Sequence, residues 1–185
     1  MLKGVDTQET RIEQMRVPED VIVRLETPND LPAIHSVNEA AFGQREEADL
    51  VDNLRSAGVM LVSLVAEVNT RIVGHILFSR LSVETADGSI LAAALAPVAV
   101  LPEHQRRRIG ERLIREGLNM LREQGEHIAI VVGHPDYYPR FGFSTEKARC
   151  LESPFPADAF MAIELSPGAL DGVQGKVRYP AAFGL

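Results

Sequence analysis

From Ile90 through Leu91, Ala92, Ala93, Ala94, Leu95, Ala96, Pro97, Val98 and Ala99 to Val100, no side chain carries a charge or a hydrogen-bonding group. A strand that is apolar at every position buries both faces, so it belongs in the middle of a covered sheet. Two β-branched runs precede it. Leu61 to Val68 ends at the turn signal Asn69-Thr70, and Arg71 to Val83 ends near Asp87-Gly88, a strong hairpin signal. Three strands joined by tight turns give an antiparallel meander. The period then changes. Ile109, Leu113, Ile114, Gly117, Leu118 and Leu121 recur at helical spacing, opposite a face of Glu111, Arg112, Arg115, Glu116, Arg122 and Glu123. Gln124-Gly125 stops that helix, and His127 to Gly133 is again an apolar strand. Strand, helix and buried strand make a βαβ unit, so these two strands are expected to be parallel.

The flanks complete one domain without repeat or linker. Val21 to Leu25 is a short strand, and Asn29 or Asp30 caps a helix carrying Leu31, Ile34, Val37, Asn38 and Ala41 up to Phe42-Gly43. Glu46 to Ala57 repeats the helical pattern through Leu50, Val51 and Leu54. After a turn-rich stretch from Asp136 to Phe141, Ser144–Leu151 and Ala159–Leu165 read as two more strands. The tail, Gly172 to Leu185, holds Tyr179 and Phe183 and is too apolar to hang free, whereas residues 1–20 read as a loosely attached extension. The expected domain therefore spans residues 21–185, with a mixed, mostly antiparallel α/β (α+β) sheet.

Composition narrows the function. The 185 residues carry a formal charge of −7 and 5% aromatics with no tryptophan, which disfavours nucleic-acid binding. No stretch of about 18 apolar residues predicts a membrane span. No signal segment is evident, and a cytoplasmic location is expected. Cys150, the single cysteine, makes no internal disulfide and no thiolate metal cluster, and it reads as a packed thiol. No metal site is expected.

The most cationic spot is the loop between the central strand and the long helix, Gln105-Arg106-Arg107-Arg108-Ile109-Gly110. Free N–H groups at a helix start bind phosphate, whereas arginines there oppose the helix dipole unless an anion arrives. With Glu111 following, this segment resembles the acetyl-coenzyme A signature of the GNAT N-acetyltransferase superfamily, Gln/Arg-x-x-Gly-x-Gly/Ala after an apolar strand. Gln105 and Gly110 match, and Arg108 replaces the first glycine. Downstream, Tyr137-Tyr138-Pro139-Arg140-Phe141-Gly142-Phe143 resembles the aromatic block of a branch of predicted bacterial acetyltransferases.

The resemblance implies a GNAT-like fold with a splayed central parallel pair and helices on both faces. It implies acetyl-CoA as co-substrate and direct acetyl transfer to an amine of a small molecule or protein, by a monomer or homodimer. Cofactor contacts fall on Val98, Ala99, Val100, Gln105, Arg106, Arg107, Arg108, Ile109, Gly110, Glu111 and Tyr138. Tyr138 is the implied general acid, with His134 a candidate base. Relatives often keep a glutamate base on the central strand, and none lies there in this chain. Glu46, Glu47, Asp49 and Asp52 on the second helix either attract a cationic amine or form a solvated face. The alternative from another class is a non-catalytic acyl-CoA binder or sensor with the same fold.

Overall fold

A computed structural model describes residues 21–185; the expected extension at residues 1–20 lies outside them. In chain order the elements are β1 (Ile22–Leu25), α1 (Leu31–Phe42), α2 (Glu46–Ser56), β2 (Met60–Val68), β3 (Arg71–Thr85), β4 (Gly88–Val100), α3 (Ile109–Glu123), β5 (Ile128–Val132), α4 (Thr145–Ala148), β6 (Leu151–Glu152), β7 (Phe160–Glu164) and β8 (Gly175–Arg178). One sheet runs in the order β1-β2-β3-β4-β5-β7. Within it only β4 and β5 are parallel, and the pair sits between antiparallel neighbours as the apolar pattern requires. β3 is long enough to serve two partners along the edge opposite β4: its first half pairs with β2, and Ser82–Glu84 pair with β8. β6 adds a two-residue parallel contact with β8 that no sequence signal suggested.

The helices cover both faces. Successive residues of a strand point to opposite sides, and β3 shows where each helix lies. A Cβ on Gly74 would stand 3.1 Å from Leu113 on α3, whereas His75 is bonded to Asn38 on α1. α3 buries Ile109, Leu113, Ile114, Gly117, Leu118 and Leu121, the stripe read from its period. It approaches so closely that a Cβ on Gly117 would lie 2.3 Å from the Phe78 ring. The tail is anchored as its apolar content predicts, through β8 and a turn at Ala181–Phe183 that packs on α2.

Three expectations are corrected. Ser144–Leu151 is not a continuous strand: Ser144 makes a single bridge to Ala162, its hydroxyl accepts from the Glu146 N–H at 3.1 Å and caps α4, and a short strand resumes at Leu151–Glu152. Asp30 precedes α1 but does not cap it. Its carboxylate accepts from Thr27 N at 2.7 Å and from Arg24 at 2.7 Å, and that guanidinium holds it well below the usual carboxylate range. Cys150 is exposed rather than packed. No helix among the described residues is long and apolar enough to cross a membrane.

α1 is tied to the sheet by a buried polar chain. Asn38 Nδ2 donates to the Ile34 carbonyl at 2.9 Å and to His75 Nδ1 at 3.1 Å; His75 Nε2 donates to the Ser63 hydroxyl at 3.0 Å, and that hydroxyl donates to Glu26. Burial, reinforced by Arg55, lowers the His75 pKa from 6.5 to about 3, so the ring is neutral when folded. The unfolded chain then binds a proton that the folded chain refuses, and stability falls as pH drops below about 6.5. Between pH 7 and pH 5, His75 is expected to cost about 2 kcal/mol of folding stability. Denaturant titrations at the two pH values measure it, and His75→Gln should flatten the dependence.

Candidate active site

The parallel ladder between β4 and β5 is short, joining only Ala93–Leu95 to Ala129–Val131. Beyond it β4 gains one residue relative to β3: Phe78 faces Leu95 but Ile76 faces Val98. This bulge at Ala96-Pro97, whose peptide is cis, bends the strand away from β5. Leu101 N donates to Val73 O at 2.9 Å, so by antiparallel alternation Ala99 bonds toward β3 while the peptide groups of Val98 and Val100 face the opening. The Val100 carbonyl accepts from Gln105 Nε2 at 3.1 Å, which folds the loop back onto the strand.

That loop delivers α3. Arg106 and Arg108 both hold φ +62°, the left-handed region that glycine favours, and Arg112 N donates back to Arg108 O at 3.0 Å as the first turn closes. The N–H groups of Ile109, Gly110 and Glu111 have no partner inside the helix. Arg108 does not lie across them. Its guanidinium reaches Glu111 at 3.1 Å, and Glu111 also takes Arg115 at 3.3 Å. A Cβ at Gly110 would stand 3.4 Å from Tyr137 Oη and 3.7 Å from Val100, so the helix start packs closely against the Tyr137 hydroxyl and the end of β4. A non-glycine residue in the left-handed region costs about 1–2 kcal/mol, part of which an arginine recovers through lower unfolded-state entropy. Arg108→Gly is expected to stabilise the fold by up to about 1 kcal/mol, raising the melting temperature by about 2–4 °C in a thermal scan. The exposed ion pair it removes is worth little.

Across the opening, β5 leads into Gly133-His134. The His134 carbonyl accepts from Tyr137 N at 3.0 Å and starts the turn at Tyr138–Phe141, closed by Gly142 at φ +98°. The Tyr138 ring packs tightly against Gly133, where a Cβ would meet its Cε2 at 2.2 Å. Edge-on contacts to Tyr137 and Phe143, with ring centroids 5.2 and 5.9 Å away, complete its cage. Burial pushes the Tyr138 hydroxyl up to about 12, so it keeps its proton. Arg140 lies 4.6 Å over the Tyr137 ring. His134 is exposed at the rim.

Strand, loop and aromatic turn enclose one cavity of about 1080 Å³. Its wall includes Val98, Val100, Gln105, Arg106 and Arg108, then Ile109, Gly110, Glu111, His134 and Tyr138. Ala99, buried against β3, and Arg107, exposed, stand outside it. Of the four acidic residues considered on α2, Glu47 alone lines the cavity. Sequence reasoning missed the far wall, made by Phe42, Leu50, Phe155, Tyr179 and Phe183. The apolar tail was the one hint of it. No cluster of potential metal ligands occurs among the described residues.

A family model for the acetyltransferase (GNAT) domain matches residues 23–145. The chain belongs to the GNAT acetyltransferase family. Among curated relatives of this GNAT protein, the N-acetyltransferase YhbS of Escherichia coli is 32% identical over 166 residues, covering 88% of this chain and 98% of its own. A crystal structure of YhbS in complex with CoA superposes with a TM-score of 0.83 at 31% identity, covering 90% of this chain and 93% of that one. A GNAT acetyltransferase from Brucella melitensis in complex with acetyl-CoA gives 0.75 at 36% identity, covering 88% and 97%. The mixed sheet with its parallel β4–β5 pair is thus the GNAT fold, and the enzyme class is N-acetyltransferase.

Proposed function

We propose that this chain binds acetyl-CoA in the opening between β4 and β5 and transfers the acetyl group directly to an amine in a ternary complex. The observation that carries this reading is the convergence of three features on one cavity: the outward peptide groups of Val98 and Val100, the N–H groups at the start of α3 that lack helical partners, and the Tyr138 side chain. The fit to the coenzyme is chemical. The α3 start and Arg106 offer N–H donors and positive charge to a pyrophosphate. Strand amides facing the opening offer partners to a chain of amide groups. Bound acetyl-CoA supplies an acetyl thioester, whose acyl carbon passes to the amine nitrogen as the C–S bond breaks. The two relatives whose structures hold CoA and acetyl-CoA support this assignment. The Tyr137 to Phe143 block is the feature by which we place the chain with a bacterial branch of the family.

Tyr138 holds a proton in a buried, low-dielectric setting and donates it where the sulfur becomes basic. Val98 orients the thioester through its peptide N–H. His134, exposed at the rim, is the candidate that takes a proton from the incoming ammonium, directly or through water.

The test is thiol release from acetyl-CoA with a panel of amines, with the product identified by mass spectrometry. Amine-dependent release with an acetylated product is expected. Coenzyme binding without any acetylated product would instead support a non-catalytic binder.

A further inference from the structure

The far wall of the cavity has a chemistry of its own. Phe155, Tyr179 and Phe183 form an aromatic corner, with edge-on centroid separations of 5.5 Å between Phe155 and Tyr179 and 5.0 Å between Tyr179 and Phe183. Leu50 of α2 and Phe42 at the end of α1 extend this apolar surface. Among the described residues the buried Tyr179 hydroxyl makes no hydrogen bond of acceptable geometry, although Ser153 is near enough to oppose slightly the burial that pushes its pKa up to about 12. A buried donor left unpaired costs free energy that a ligand acceptor recovers. Glu47 differs from the other carboxylate in the wall. Glu111 is held by two arginines, but Glu47 meets only the Gln44 amide, at 3.1 Å, among the described residues. Among the described residues no cation pairs with its charge, and it lines the cavity.

Building on the acetyl-transfer reading, we propose that the acceptor is a small primary amine carried on an aromatic body with a hydrogen-bond acceptor on its ring. The ring packs into the corner of Phe155, Tyr179 and Phe183, the ring substituent accepts from the Tyr179 hydroxyl, and Glu47 draws in the ammonium. Five apolar or aromatic side chains around one carboxylate and one unpaired donor suit such a molecule. A polyamine or a lysine side chain would leave the corner unfilled and the phenol unpaired.

Two readouts test this on the full chain. Calorimetry in the presence of CoA compares 2-(4-methoxyphenyl)ethylamine, 2-phenylethylamine, n-butylamine and a lysine-containing peptide, and thiol release from acetyl-CoA repeats the series. The expected order places both aromatic amines at least about tenfold ahead of butylamine and the peptide in affinity and kcat/KM. The methoxy compound leads. Tyr179→Phe should abolish the methoxy advantage alone, and Glu47→Gln should weaken every amine about tenfold without changing CoA affinity. Equal binding of all four probes, or an unchanged amine affinity in Glu47→Gln, would overturn the proposal. Selective binding of the aromatic amines with no thiol release would retain this site and overturn acetyl transfer; turnover of all amines without preference would do the reverse.

Discussion

Tyr138→Phe is expected to lower acetyl transfer at least about tenfold while CoA affinity stays within about twofold. The change removes one oxygen and leaves the ring, which is what packs against Gly133, Tyr137 and Phe143. The fold and the cavity wall should therefore persist. What is lost is the proposed proton donor. A thiol in water has a pKa near 8.5, and a buried thiolate is more basic still, because burial disfavours its charge as it disfavours the phenolate. With its own pKa pushed up to about 12, Tyr138 remains protonated across the working range. The wild-type rate should accordingly show no alkaline loss from this group below about pH 10. Steady-state thiol release paired with CoA calorimetry separates the two readouts. Unchanged turnover would remove Tyr138 as the acid.

A still larger loss is expected from Gly133→Ala, a change of one methyl group on a residue with no functional group. The added Cβ would lie 2.2 Å from Tyr138 Cε2, 2.9 Å from Cδ2 and 3.2 Å from Cζ, so the ring must shift by more than an ångström. Neighbouring Tyr137, Phe141 and Phe143 hold it on its other sides, so the ring yields toward the cavity and its hydroxyl leaves its place. A displacement of that size at a reacting group costs on the order of 10²-fold in rate. Gly133 acts through Tyr138, so the two changes are not additive. The double variant Gly133→Ala with Tyr138→Phe should be little slower than Gly133→Ala alone, because the hydroxyl is already out of place. Multiplicative losses in the double variant would show that Gly133 matters for another reason. Thermal scans on all three variants separate loss of the site from loss of the fold.

Gly133 illustrates what a single sequence carries and what it does not. The order of strands and helices was legible because burial leaves a period: Ile90–Val100 apolar throughout, α3 apolar every third or fourth residue. The residues proposed to meet the coenzyme stood out through short local spacing, Gln105 to Gly110 and Tyr137 to Phe143. Where local chemistry competed with pattern the reading failed. Ser144 and Thr145 looked like strand residues, yet the Ser144 hydroxyl bonds its own backbone two residues on and starts a helical turn. The far wall was out of reach for a different reason. Phe42, Leu50, Phe155, Tyr179 and Phe183 are brought together by the docking of the tail on α2, and no spacing within the chain encodes that meeting. The same holds for Glu47: helical period places it on a face, but only the packed tail makes that face a cavity wall.

The central claim is that the opening between β4 and β5, closed off by the start of α3, holds acetyl-CoA. It can be tested without knowing the acceptor. Calorimetric titration of acetyl-CoA into the full chain should show one molecule bound per chain, with affinity falling as salt screens the charge around Arg106 and the helix start. No heat and no saturable binding at low salt would contradict the account at its root.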